Sequence, residues 1–380
     1  MKNLVLLVLL MPSFCFSQQD EEATEVDKTR FQNQEFYEVK NYVSRKPGSK
    51  VRNIIFLIGD GMGSSQIYAA MLANKGNLYL KTMPVVGFSK TNAADNLITD
   101  SAAGATAFSI GEKTNNGAIG VDRMNIPRKT ILEKAVEKGM GTGLVSTCAI
   151  THATPASFIA HQPSRNMYEE IAADFLKVDI DIFIGGGRNH FQKRKDGRNL
   201  LLELESKNYS VVSSMDSLKY AKGNKVAGLI ASEHQQPYAL GRGEMLGDAS
   251  KFSIEKLKNN KNGFFLMIEG SQIDWGGHDN NVPYIVTEML DFDRVVGEVL
   301  EFASKDKETL VVITADHETG GFSINGGDLE TGLVEGAFTT GGHTAVMVPV
   351  FAYGPQAGLF SGTMENTDIY YKFLEALGWK

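Results

Sequence analysis

Apolar residues in this chain gather in short continuous runs separated by stretches of helical period. The runs are residues 53–58, 141–147, 181–184, 264–268, 310–313 and 346–353, and the helical stretches are 64–73, 130–138, 167–177, 251–258, 283–302 and 367–377. A run with no polar break suits a strand covered on both faces, and strands alternating with helices imply a mostly parallel sheet. The pattern therefore predicts an α/β fold: a three-layer sandwich whose mostly parallel central sheet carries helices on both faces. Within 283–302, Val286, Met289, Leu290, Val296, Val299 and Leu300 share one helical face, which marks a core helix. Residues 189–247 are more charged and less regular, and are expected to pack as an excursion from the main sheet.

The N-terminus departs from this pattern. Met1-Lys2-Asn3 precedes an almost uninterrupted apolar stretch to Phe16, followed by Ser17. One positive charge, a short apolar segment and a small residue describe a secretory signal peptide over 1–17. The segment is too short for a membrane span, which needs roughly 20 residues. No other stretch is long and apolar enough to be a membrane helix. Residues 18–50 are polar and read as an extended arm, and 51–380 as the folded domain. The chain is thus expected to be exported, to a periplasm or to the medium.

Composition narrows the chemistry. The net charge of −7 over 380 residues leaves no basic footprint for nucleic acid. Of the two cysteines, Cys15 falls in the signal segment. Cys148 is then alone, reads as a small buried residue at a strand end, and permits neither a disulfide nor a cysteine-rich zinc site. Any metal is expected to be held by His, Asp and Glu.

In open α/β sheets the functional groups lie just past the carboxyl ends of the strands. Asp60 follows the first run inside Gly59-Asp60-Gly61-Met62-Gly63. Glu269, Asp274, Trp275 and His278 follow the run 264–268. Asp316-His317 follows 310–313, Thr151-His152-Ala153-Thr154 follows 141–147, and His343 precedes the last run. Asp316-His317 by itself also fits a surface turn, and the glycines around Asp60 by themselves also suit a nucleotide loop. However, Asp60 would set a negative charge where a pyrophosphate approaches. Five distant segments bringing carboxylates and imidazoles to one sheet edge favour metal ligation. His161, His190 and His234 have no such setting and are expected to be structural or surface residues.

The nucleophile candidate is Ser101, in Thr99-Asp100-Ser101-Ala102-Ala103-Gly104. Ser or Asp before small residues also starts a helix well, and the two readings are compatible. A serine at a helix N-terminus faces free N–H groups and the positive dipole end, a setting for an anionic substrate. No histidine adjoins it and no GxSxG motif occurs, so activation by bound metal fits better than a hydrolase triad.

With these motifs the chain resembles the alkaline phosphatases over nearly all of 51–380. Ile58-Gly59-Asp60-Gly61-Met62-Gly63, Thr99-Asp100-Ser101-Ala102, Ala153-Thr154-Pro155, the 269–278 segment, Asp316-His317-Glu318-Thr319-Gly320-Gly321 and Gly342-His343-Thr344 occur in family order. The resemblance implies hydrolysis of phosphate monoesters through a phosphoserine at Ser101, with two zinc ions and one magnesium ion. It implies a first zinc on Asp274, His278 and His343, and a second on Asp60, Asp316 and His317, with Ser101 joining during turnover. Asp60, Thr154 and Glu269 would take magnesium, and Arg165 would grip the phosphoryl oxygens. His152 and Trp275 stand where the best-known enterobacterial branch has Asp and Lys, which bears on the third ion. Small phosphomonoesters are the implied substrates, and relatives are commonly homodimers. Rivals from the same superfamily fit less well. A sulfatase needs a Cys/Ser-x-Pro-x-Arg context that Ser101 lacks, and a diesterase should lack Arg165. A secreted phosphate- or zinc-binding protein would not need the serine.

Overall fold

The computed structural model describes residues 27–42 and 50–379. The signal segment lies outside them. Fifteen strands follow in chain order: β1 (Arg30–Gln32), β2 (Asn53–Gly59), β3 (Val85–Lys90), β4 (Gly141–Ala149), β5 (Ile182–Gly186), β6 (Ser210–Val212), β7 (Val226–Leu229), β8 (Phe264–Gly270), β9 (Thr309–Thr314), β10 (Glu318–Thr319), β11 (Ser323–Asp328), β12 (Leu333–Ala337), β13 (His343–Thr344), β14 (Val348–Tyr353) and β15 (Gly362–Glu365). Ten of them form one sheet in the order β15-β3-β14-β9-β2-β8-β4-β5-β7-β6. Its pairs are parallel except where β14 meets β3 and β9.

The central strand shows why the run had no polar break. All seven residues of β2 are buried. Ile55 and Leu57 point into one core, with the helices Ser64–Ala73, Met245–Leu257 and Val282–Asp306. Ile54, Phe56 and Ile58 point into the other, with Ser101–Ile110, Ile131–Glu137 and Asp368–Leu377. The period of two divides one apolar sequence between two cores, giving the expected three layers. The long helix Val282–Asp306 opens on Asn281, whose side chain accepts from Tyr284 N, and buries every apolar position singled out on its face.

Two expectations need correction. The stretch 189–247 is not an excursion: β6 and β7 inside it extend the main sheet by two parallel strands. β6 is only three residues long and mostly half-buried, so its run is too short to stand out. The described part of the arm also folds back on its own chain. β1 pairs with β12, and Tyr37 donates from its hydroxyl to Asp293 Oδ2 at 2.6 Å. Tyr37 and Tyr42 both stack on Tyr79.

Candidate active site

Strand direction places the chemistry. The carboxyl ends of β2, β3, β4, β8 and β9 lie at one edge of the sheet, and the antiparallel β14 begins there. The segments leaving those strands bring Asp60, Ser101, His152, Thr154, Glu269, Asp274, Asp316 and His317 to this edge, and the segment entering β14 brings His343. Gly61 permits a close approach between two of these segments. Its φ is +72°, and a Cβ there would stand 2.6 Å from Asp274 Cα. A Cβ at Gly104 would meet Asp316 Cβ at 3.0 Å, so the small residues after Ser101 let its helix reach the β9 loop.

Asp274, His278 and His343 converge as expected. His278 and Asp274 lie on the short helix Gln272–His278, four residues apart. His278 Nδ1 donates to Gly341 O at 2.7 Å, and His343 Nδ1 donates to Thr99 O at 2.8 Å. These carbonyls fix both tautomers, so each Nε2 turns its lone pair inward. The two Nε2 atoms are 3.1 Å apart, and each lies 3.4 Å from an oxygen of Asp274. Three electron-pair donors facing one another at these distances form a cation cradle. Without a cation, protons fill it: hydrogen bonding to Asp274 lifts the His278 pKa to about 9.

The second set adjoins it. His317 Nε2 lies 3.4 Å from Asp60 Oδ1 and 3.4 Å from Asp316 Oδ2, with all three side chains fully buried. Ser101 Oγ stands 3.2 Å from that Nε2 and 3.5 Å from Asp60 Oδ1. Ser101 is the first residue of the helix Ser101–Ile110, and Asp100 is the N-cap, accepting from Ala103 N at 2.9 Å. The hydroxyl therefore sits among ligand-type groups at the positive end of a helix.

Four buried oxygens beside it have no hydrogen-bond partner: Asp60 Oδ2, Asp316 Oδ2, Thr154 Oγ1 and Glu269 Oε1. Unpaired buried carboxylate oxygens are costly unless a cation satisfies them. Burial, then the charges of Asp316, Asp274 and Glu269, raise the Asp60 pKa well above the usual carboxylate range. Burial lifts Glu269 to about 7 and Asp316 to about 6. Asp274 goes the other way, because hydrogen bonds to His278 and His343 outweigh its burial. The donors fit the implied ions: imidazole with carboxylate suits zinc, and the all-oxygen group of Asp60, Thr154 and Glu269 suits magnesium. Cys148 is buried at the end of β4 as expected, but it also lies against this group, its thiol 3.4 Å from Glu269 Oε2.

Arg165 closes the site on the other side. It donates from Nη1 to Asp100 Oδ2 at 3.0 Å and from Nη2 to His152 Nε2 at 3.2 Å. Each of those nitrogens carries a second N–H, so the fork keeps donors for an oxyanion. Asp100 thus caps the Ser101 helix and aims the arginine, a double role the sequence reading missed. Thr319 was missed too, and its hydroxyl bonds Asp274 Oδ1 at 2.5 Å. Of the histidines set aside, His161 is structural, bridging Gly120 O and Glu133. His190 is structural too, its Nδ1 2.6 Å from Thr151 Oγ1 and its ring stacked on Tyr168. His234 is exposed as expected, but its ring also stands against Trp275 and His152, because residues 231–242 cross the carboxyl edge of β4 and β5.

The cluster makes a pH prediction for metal-free protein. Above about pH 7.5 the unfolded carboxylates are ionised and the unfolded imidazoles almost entirely neutral, while folded His278 at about 9 still holds its proton and Glu269 at about 7 part of one. The folded chain then binds more protons than the unfolded one, so stability falls as pH rises through this window. Burial depresses the pKa values of His152 and His317, so these two add stability as pH rises through about 6.5, where their unfolded imidazoles lose protons, and no longer offset the fall above about pH 7.5. Melting curves of chelator-treated protein are expected to drop from about pH 7.5 to 9, and saturating zinc should flatten the profile. A flat profile without metal would contradict the cradle.

The comparisons with known proteins agree with this geometry. The family model for alkaline phosphatase matches residues 51–337. Alkaline phosphatase 3 of Bacillus subtilis (strain 168) is 37% identical over 422 residues, covering 88% of this chain and 91% of that protein. The solved alkaline phosphatase from the Antarctic bacterium TAB5 is 41% identical with a TM-score of 0.83, covering 87% of this chain and 99% of that one. A mutant of the TAB5 enzyme with one histidine replaced by aspartate has Mg bound in its M3 site. It matches with a TM-score of 0.82 at 41% identity, over 87% of this chain and 99% of that one.

Proposed function

Because the chain belongs to the alkaline phosphatase family, we propose that it hydrolyses phosphate monoesters through a phosphoserine at Ser101, using two zinc ions and one magnesium ion. The observation that carries this reading is the Ser101 hydroxyl, placed among Asp60, His317 and a helix N-terminus with Arg165 alongside.

Asp274, His278 and His343 would hold one zinc ion, Asp60, Asp316 and His317 the other, and Asp60, Thr154 and Glu269 the magnesium. Bound there, zinc supplies Lewis acidity, which lowers the serine pKa and offsets charge on the leaving oxygen. Ser101 Oγ attacks phosphorus, the P–O bond to the alcohol breaks, and the alcohol leaves carrying a proton. Water then attacks the phosphoserine, and serine and phosphate are released. Arg165 holds two phosphoryl oxygens through the transfer, and its own orientation is fixed by Asp100 and His152. The first turn of the Ser101 helix adds N–H groups and dipole to the same charge.

The test compares p-nitrophenyl phosphate with bis-p-nitrophenyl phosphate at alkaline pH, alongside metal analysis. Monoester turnover is expected to exceed diester turnover by orders of magnitude, and the reverse preference would defeat the reading. Arg165→Ala should cost one guanidinium fork, about 1.5–3 kcal/mol, or roughly 10- to 150-fold in kcat/KM. The loss should be smaller when the leaving group changes than when the phosphoryl group does. A loss under threefold would remove Arg165 from phosphoryl binding.

The signal segment 1–17 supports export, to a periplasm or the medium, with 51–380 as the catalytic domain. The described residues contain no helix long and apolar enough to cross a membrane. Family practice supports a homodimer, which sedimentation of the purified protein tests.

A further inference from the structure

The segment from Ala231 to Arg242 is an exposed strap fastened along its length. Glu233 O accepts from Gly187 N at 2.6 Å, and a Cβ on Gly186 would stand 1.8 Å from that oxygen. Gln235 O accepts from Gln272 Nε2 at 3.0 Å. At the far end, Arg242 is buried between Glu288 (2.6 Å) and Asp291 (2.8 Å) on the long helix. His234 therefore sits on a tethered backbone, although the residue itself is exposed. Its Nδ1 accepts from Ala149 N at 3.1 Å, and on this tethered backbone the ring lies toward the site, against Trp275 and His152.

That ring meets two others. It stands 4.8 Å from the Trp275 ring at 87° and 5.6 Å from the His152 ring at 87°, while His152 and Trp275 are 6.2 Å apart at 86°. Each ring presents an edge to the next, the arrangement aromatic quadrupoles favour. Trp275 lies between the ligands Asp274 and His278 and is itself only half-buried, so the short helix alone does not fix its indole. His152 in turn accepts from Arg165 Nη2.

We propose that His234 is a positioning residue for the phosphate end of the site: its ring holds Trp275 and His152, and through His152 it orients Arg165. The inference rests on the monoesterase reading, since it assigns the effect to phosphate binding. No bond is made or broken by His234.

The test uses the zinc- and magnesium-loaded enzyme in a Trp379→Phe background, where Trp275 is the only tryptophan. His234→Asn keeps an acceptor for Ala149 N and removes the ring. It should raise the inhibition constant of inorganic phosphate by about two- to tenfold, the range that loss of an aromatic pair carries. Trp275 emission should shift to the red and acrylamide quenching should rise, with zinc content unchanged. His234→Phe keeps the ring and loses the acceptor, and should stay within about twofold of wild type on every readout. The proposal is overturned if His234→Asn lowers only the melting temperature, if it shifts phosphate inhibition without altering quenching, or if His234→Phe behaves like His234→Asn. A parent enzyme that phosphate does not inhibit would overturn the monoesterase reading instead. The quenching comparison then still decides whether the His234 ring holds Trp275.

Discussion

Ser101→Ala is expected to lower p-nitrophenyl phosphate turnover by at least about a thousandfold, roughly 4 kcal/mol of barrier, while the fold and metal content stay intact. The serine hydroxyl is the one that stands at a helix N-terminus between two ligand-type groups: 3.2 Å from His317 Nε2 and 3.5 Å from Asp60 Oδ1. Removing one oxygen leaves a space about the size of a water molecule, and that water cannot form the covalent intermediate. The helix should survive, because its cap is Asp100 rather than Ser101. Acid-quenched protein incubated with ³²P-phosphate should label in the wild type and not in the mutant. Equal labelling, or a loss below tenfold, would take Ser101 out of the mechanism.

Asp60→Asn should have the second-largest effect, with opposite signs in two measurements. Asp60 Oδ1 faces His317 and Ser101, while its Oδ2 is buried without a partner. In the proposed assignment it belongs to both the second zinc set and the magnesium set, so bound metal should fall by more than one equivalent. Activity should drop by about a thousandfold or more, the consequence of losing Lewis acidity at the nucleophile. Stability should respond in two directions. Metal-free Asp60→Asn should melt higher than metal-free wild type at pH 8, because one carboxylate crowded by Asp316, Asp274 and Glu269 has become neutral. With metals, wild type should melt higher, since a ligand at a thousand times its dissociation constant adds about 4 kcal/mol. Differential scanning with and without chelator reads both arms, and a mutant that gains as much from zinc as wild type would sink the bridging role.

How far the sequence revealed this arrangement follows from burial. The strand β2 and the helix Val282–Asp306 were legible because their apolar patterns are long and uninterrupted. β3 was not anticipated. It alternates buried and exposed positions with Gly87 in the middle, so no apolar run marks it. The helix Met245–Leu257 was expected to begin at 251, because Gly247, Asp248 and Ser250 in its first half are poor helix formers held by packing. Each ligand residue lay within a recognisable motif, whereas the contacts that aim those ligands did not. Thr319 on Asp274, Asp100 on Arg165 and His234 on Trp275 join segments far apart in the chain, and no local spacing encodes them.

The direction of β14 bears on when the protein becomes able to work. β2 gains its neighbours only when β8 and β9, more than two hundred residues later, have been made. His343 then arrives on the segment leading into β14, after every other ligand residue. Such non-local pairings carry a large loop-closure entropy and slow folding. During synthesis the crowded carboxylates are therefore gathered before the last imidazole is available. The cradle of Asp274, His278 and His343 cannot close until the final strands dock. Metal capture at that cradle would thus come late and register completed folding: a chain stopped before residue 343 would keep seven of the ten sheet strands paired, from β9 to β6, and leave β3 without a neighbour, yet lack a third of the cradle.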